Sequence, residues 1–75
     1  MAKKNKYLIE LGEHIRDARK AKGLSQEQLA LQAEIDRSYV GGIERGERNV
    51  SFLTLVKIAN CLECEVSKFV KGIPK

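Results

Sequence analysis

Between Leu24 and Gly46 the chain reads LSQEQLALQAEIDRSYVGGIERG, which sets two short helical segments only about three residues apart. Ser25 stands at an N-cap position. Gln28, three residues on, completes the reciprocal pattern in which each side chain satisfies the other's backbone N–H. The first segment then runs from about Gln26 to Ala33 and buries Leu29, Ala30 and Ala33. After Glu34 and Ile35, Asp36 offers a second N-cap, and Val40 and Ile43 share one helical face up to Glu44 or Arg45. Gly46 then stops the helix as a C′ glycine does.

The flanks are helical as well. From Tyr7 to Lys22, Leu8, Leu11, Ile15 and Ala18 recur at spacings of three and four, and Gly23 ends the pattern. Beyond a polar loop, Glu47 to Val50, Ser51 caps a helix with the broad apolar stripe Leu55, Val56, Ile58, Ala59 and Leu62. Val66 to Val70 adds one or two turns before Gly72 and Pro74. No stretch alternates with the period of two that a strand needs, so the expected fold is all-α, a compact bundle of four to five short helices. Residues 1–6, with Lys3, Lys4 and Lys6, are expected to form a flexible basic N-terminal arm, and residues 7–75 a single domain.

Two short helices so joined form a helix-turn-helix. In that arrangement the first helix braces on the DNA backbone, and the second lies in the major groove with its N-terminal residues at the base edges. The charge agrees in sign: 14 Lys and Arg against 10 Asp and Glu leave +4, an excess that attracts a polyanion if clustered.

Together with SFLTLVKIANCLECEVSKF downstream, this stretch resembles the phage-repressor-like (Cro and C1 type, XRE) helix-turn-helix family over about residues 8 to 70. DRSYVGGIERGERN is most similar to the controller proteins of restriction–modification systems, which carry D-R-[ST]-Y-[IV] ahead of an I-E-R turn. The resemblance implies a lambda-repressor-like fold and a sequence-specific double-stranded-DNA-binding transcriptional regulator. It leaves a controller, an antitoxin and a phage immunity repressor as open readings. A protein-interaction module using the helix-turn-helix face is the alternative from another class.

Carried over by position, Arg37, Ser38 and Tyr39 fall where the recognition helix first meets the groove, and Gly42 one turn further on. Arg37 is the foremost base reader, because its planar fork matches O6 and N7 of guanine, a contact worth roughly 1–3 kcal/mol of discrimination. Gln26, at the start of its helix, is expected to bond a phosphate together with the exposed amides there. Arg45, Arg48, Asn49 and Ser51 surround the loop where relatives hold the backbone, and Glu47 among them is expected to point away from phosphate. The resemblance further implies a partly buried salt bridge between Arg19 and Glu44. At position 34 the family usually has glycine, so Glu34 is expected to carry some strain or to alter the turn.

One recognition helix reads too few base pairs to find a site in a genome. A homodimer on an inverted-repeat operator, with recognition helices roughly 34 Å apart, is therefore expected. Val66, Phe69, Val70 and Ile73 are its candidate contact surface. Such dimers act by occluding RNA polymerase or by contacting it.

Other chemistries find little support. Cys61 and Cys64 stand in a C-x-x-C spacing, but a zinc site needs four ligands and a thioredoxin-like motif needs a βαβ context, so no metal or cofactor is expected. Cys64 is instead expected to fill an apolar core slot. His14, beside Glu10, Glu13 and Asp17, reads as an exposed helix residue. No catalytic set has partners that the fold would gather in a cleft, so no enzyme is expected. No apolar run is long enough to span a bilayer, and Met1 to Lys6 precedes no apolar segment of a signal peptide, so the expected location is cytoplasmic, on operator DNA in the nucleoid of a bacterium or phage host.

Overall fold

The computed structural model describes residues 5–74. Lys3 and Lys4 of the expected arm lie outside them. Five helices follow one another: α1 (Lys6–Ala21), α2 (Gln26–Ala33), α3 (Arg37–Glu44), α4 (Phe52–Leu62) and α5 (Ser67–Val70). The first begins inside the expected arm, because the Asn5 side chain accepts the backbone N–H of Tyr7 at 2.8 Å and so caps the helix at Lys6.

Local signals explain most of the ends. Ser25 Oγ accepts from the Gln28 backbone at 3.0 Å while Gln28 Oε1 accepts from the Ser25 N–H at 2.8 Å, the capping box read from the sequence. Ser51 Oγ accepts from the Thr54 backbone N–H at 3.1 Å. Asp36 occupies the N-cap position of α3, but its carboxylate makes no capping bond; it accepts the Ser38 hydroxyl at 3.1 Å instead. Glu34 and Glu63 close α2 and α4 in the left-handed region, at φ 58° and 55°. Their successors Ile35 and Cys64 bond back to the carbonyls of Ala30 and Ala59. The helix-turn-helix turn thus has the backbone that glycine usually supplies, and Glu34 carries the strain expected of it.

The core is one cluster fed by every helix: Ile15, Leu29, Val40, Ile43, Ile58 and Phe69 are essentially sealed from solvent. The first helix packs on α3 and α5, and α2 on α3 and α4. Contact between α1 and α3 is close enough to require a residue without a side chain. A Cβ on Gly12 would sit 2.6 Å from the Glu44 carbonyl oxygen and closer still to that of Ile43. Gly46, at φ 76°, completes this approach, since a Cβ there would lie 2.7 Å from Ile9 Cα. The end of α3 is thereby pressed against α1.

Two expectations change at the other end of the bundle. Phe69 was expected to face a partner, yet it is 0% exposed, because the single turn of α5 folds back on α1 and plugs the core with it. Val66 and Ile73 pack partly on the same cluster, and only Val70 of the four stands exposed. His14 was expected in solvent. It is half-buried, and its Nδ1 donates to the Phe69 carbonyl oxygen at 2.7 Å, which requires the proton on Nδ1, with Nε2 3.7 Å from Glu10. Cys64 packs partly on the core cluster, as does Cys61. Among the described residues, no helix is long and apolar enough to cross a membrane, and no His, Cys, Asp and Glu side chains gather as a metal site would need.

Candidate nucleic-acid interface

The helix-turn-helix is held by one buried carboxylate. Glu44, the last residue of α3, has a side chain with no solvent exposure. Arg19 of α1 reaches it with two parallel bonds, Nε to Oε2 at 2.6 Å and Nη2 to Oε1 at 3.0 Å. The remaining terminal nitrogen of Arg19 donates to the Leu24 carbonyl at 2.8 Å, at the entrance to α2. Gln26 Nε2 donates to Glu44 Oε1 at 2.9 Å. Arg16 adds a contact from α1, 3.6 Å from Oε1, and donates to the Glu44 carbonyl at 3.3 Å. One carboxylate therefore fixes α1, the start of α2 and the end of α3 against one another, with both of its oxygens hydrogen-bonded. The Arg19–Glu44 bridge stands as a buried, bidentate pair.

This network aims a face of α2 and α3 outward. Gln26, Arg37, Ser38, Gly41 and Arg45 line one shallow polar depression. Arg37 and Gly41 are one turn apart on α3, and Arg45 one turn beyond, so the three share a face. With its Nε2 bound to Glu44, Gln26 turns its oxygen towards this depression, where a Cβ on Gly41 would meet it at 3.5 Å. Arg37 and Ser38 are both exposed. Arg45 is partnered by Glu47 at 3.0 Å, so Glu47 does not point away from the basic face as expected; it neutralises one member of it. That pair is exposed and worth below about 1 kcal/mol, so a phosphate can displace it.

The other expected residues form a second cluster. The stem of Arg48 lies across Gly42, where a Cβ would come within 2.6 Å of its Cγ, and its guanidinium covers the Tyr39 ring at 5.3 Å. The Tyr39 hydroxyl donates to the Asn49 carbonyl at 3.2 Å. Gly42 is therefore roofed by Arg48. Gly41, also buried, forms the floor of the depression under the Arg45 guanidinium and the Gln26 oxygen, a position that helical spacing from Arg37 pointed to and that the sequence reading passed over. Arg16 was also missed, although it lies three residues, about one turn, before Arg19. Ser51 spends its hydroxyl on the cap of α4, where it also donates to Thr54 Oγ1 at 2.9 Å.

Fold and site together define a helix-turn-helix domain. The profile of the Helix-turn-helix family matches residues 15–69, so this chain belongs to that family. It is 40% identical over 72 residues to control protein C.MunI from Mycoplasma sp, covering 95% of this chain and 97% of that one. The crystal structure of the restriction–modification controller protein C.AhdI from Aeromonas hydrophila superposes with a TM-score of 0.81 at 50% identity, covering 83% of this chain and 94% of that one. The crystal structure of SinR, the master regulator for biofilm formation, in complex with DNA gives a TM-score of 0.78 at 34% identity over 81% of this chain and 98% of that one.

Proposed function

We propose that this chain is a transcriptional regulator of the restriction–modification controller kind, binding double-stranded DNA at an inverted-repeat operator as a homodimer. The observation that carries the reading is the convergence of Arg37, Ser38, Gly41, Gln26 and Arg45 on one exposed face, locked from behind by Glu44. Arg37 reads a guanine in the major groove. Gln26, with the free amides that begin α2, takes a phosphate on one strand, and Arg45, Arg48, Asn49 and the start of α4 at Ser51 take the other. The similarity to C.MunI and C.AhdI, named as controllers, supports the choice among regulators. The work is binding and not catalysis, with control exerted by excluding or contacting RNA polymerase.

Pairing of two copies supplies the second half-site. Val70, exposed at the tip of α5 with the edges of Val66 and Ile73 beside it, is the proposed contact, and Phe69 supports it from beneath. Leu31, Phe52 and Leu53 expose more apolar surface on α2 and α4 and are the competing contact.

Selection of bound sequences from random duplex DNA, with wild type and Arg37→Ala at one stated salt concentration, tests the reading. Wild type should enrich an inverted repeat containing guanines. The mutant should lose preference at those guanines while keeping salt-dependent binding. Sedimentation of Val70→Asp and Leu53→Asp then assigns the dimer contact, since only the variant in the true interface should run as a monomer. Enrichment of no sequence by wild type overturns the proposal and makes protein interaction the leading reading.

A further inference from the structure

Tyr39 stands at the third position of the recognition helix, beside the base reader Arg37, and yet its chemistry is already committed elsewhere. Its hydroxyl has one proton, and that proton is given to the Asn49 carbonyl at 3.2 Å. One face of its ring is covered by the Arg48 guanidinium at 5.3 Å. Gly42 lies three residues on, on the same face of α3, and the stem of Arg48 runs over it where any side chain would collide. Tyr39 and Gly42 together make a seat for one arginine.

We propose that Tyr39 is a positioning residue: with Gly42 it holds Arg48 and the loop after α3 in place to receive a DNA phosphate, and it does not read a base. The inference rests on the DNA-binding reading above and deepens it. The loop from Glu47 to Val50 is tied at its ends, by the Glu47 N–H on the Gly42 carbonyl at 2.9 Å and by Val50 packed against the core, and the Tyr39 hydroxyl holds its middle at Asn49. A guanidinium held over an aromatic ring by its charge still has in-plane N–H donors to offer a phosphate. An arginine ordered before the ligand arrives loses less freedom on binding, so the seat raises affinity without touching DNA. Sequence preference stays with Arg37 and the Gly41 depression.

The test measures binding of the full chain to its selected operator and to unrelated duplex over a range of salt. Arg48→Ala should weaken both equally and make the dependence of log affinity on log salt shallower by about 0.9, one phosphate contact. Tyr39→Leu, which removes ring and hydroxyl, should give the same flattening with an unchanged base-preference profile. Tyr39→Phe, which keeps the ring, should lose only part. The double variant Tyr39→Leu with Arg48→Ala should bind no worse than Arg48→Ala alone.

Gly42→Ala displaces the Arg48 stem without altering Tyr39, so it should reproduce the flattened slope even if Tyr39→Leu fails to fold. Altered preference at particular base pairs in Tyr39→Leu or Tyr39→Phe, with the salt slope intact, overturns the proposal and makes Tyr39 a reader. Additive losses in the double variant overturn it as well. Failure of wild type to bind duplex DNA is a separate outcome that removes the functional reading and the seat's purpose together.

Discussion

Arg19 and Glu44 meet side by side, Nε on Oε2 at 2.6 Å and Nη2 on Oε1 at 3.0 Å, and the carboxylate has no exposure to water. Removing either partner strands a buried charge. Arg19→Ala or Glu44→Ala should therefore cost on the order of 3–5 kcal/mol in urea unfolding, a large share of the stability of a 75-residue domain. Removing both as Arg19→Met with Glu44→Leu should recover much of that loss, because no charge is left unpaired. The exposed Arg45–Glu47 pair supplies the control, and Glu47→Gln should change stability by less than about 1 kcal/mol. Equal losses at the two sites would show that burial is not what makes the first pair matter.

Two glycines separate stability from binding. A methyl on Gly12 runs into the backbone carbonyls of Ile43 and Glu44, and backbone yields less easily than a side chain. Gly12→Ala should destabilise by about 1–3 kcal/mol or more. Gly41 lies inside a helix, and its Cβ would meet the guanidinium of Arg45 at 3.0 Å, the mobile end of a long side chain. Gly41→Ala should therefore raise thermal stability by about 0.5–1 kcal/mol through helix propensity. The same change should weaken operator binding by filling the depression. Unchanged operator affinity in a stabilised Gly41→Ala would remove that depression from the binding surface.

Glu34 carries left-handed backbone, φ 58°, at the turn between the two helices. A side chain in that conformation costs roughly 1–2 kcal/mol, and glycine gives part of this back as extra freedom of the unfolded chain. Glu34→Gly should leave a net gain of about 0.5–1 kcal/mol, read as a higher urea midpoint with unchanged slope. Glu63 has the same backbone at the end of α4 but is bridged to Lys22, so Glu63→Gly should gain less. A loss of stability at Glu34→Gly would mean that its side chain makes a compensating contact.

The bounds of α2 and α3 were legible because Ser25, Gln28 and Gly46 act on backbone within a few residues of themselves. The Arg19–Glu44 bridge was legible only through family resemblance, since 25 residues separate the partners. Where contacts depended on how the last helix returns to the first, periodicity had nothing to offer. His14 and Phe69 are 55 residues apart and meet only because α5 folds back on α1, so one was read as exposed and the other as a surface for a partner. The cover over Gly42 was hidden from the sequence for a related reason. Gly41 and Gly42 sit about 100° apart on the helix, and what distinguishes them is the side chain over each: Arg45 and Gln26 at the first, Arg48 arriving from a loop at the second.

Cys61 links the turn to pH. Burial, and secondarily the negative charge of Glu34, push its thiol above the ordinary 9.0. The folded chain therefore keeps this proton at a pH where the unfolded chain has released it. Below the ordinary value both states are protonated and the group adds no pH dependence. As pH rises through that value towards the raised one, the unfolded state binds fewer protons than the native state, and stability falls. Urea unfolding of wild type compared with Cys61→Ala, from neutral pH to about pH 10, isolates the contribution of the thiol. The wild-type curve should drop more steeply above the ordinary thiol range, and parallel curves would remove the linkage. Glu34→Gln takes away the smaller of the two causes. In a Cys64→Ala background it should speed reaction of Cys61 with a thiol reagent at mildly alkaline pH, because a larger share of the thiol is then ionised.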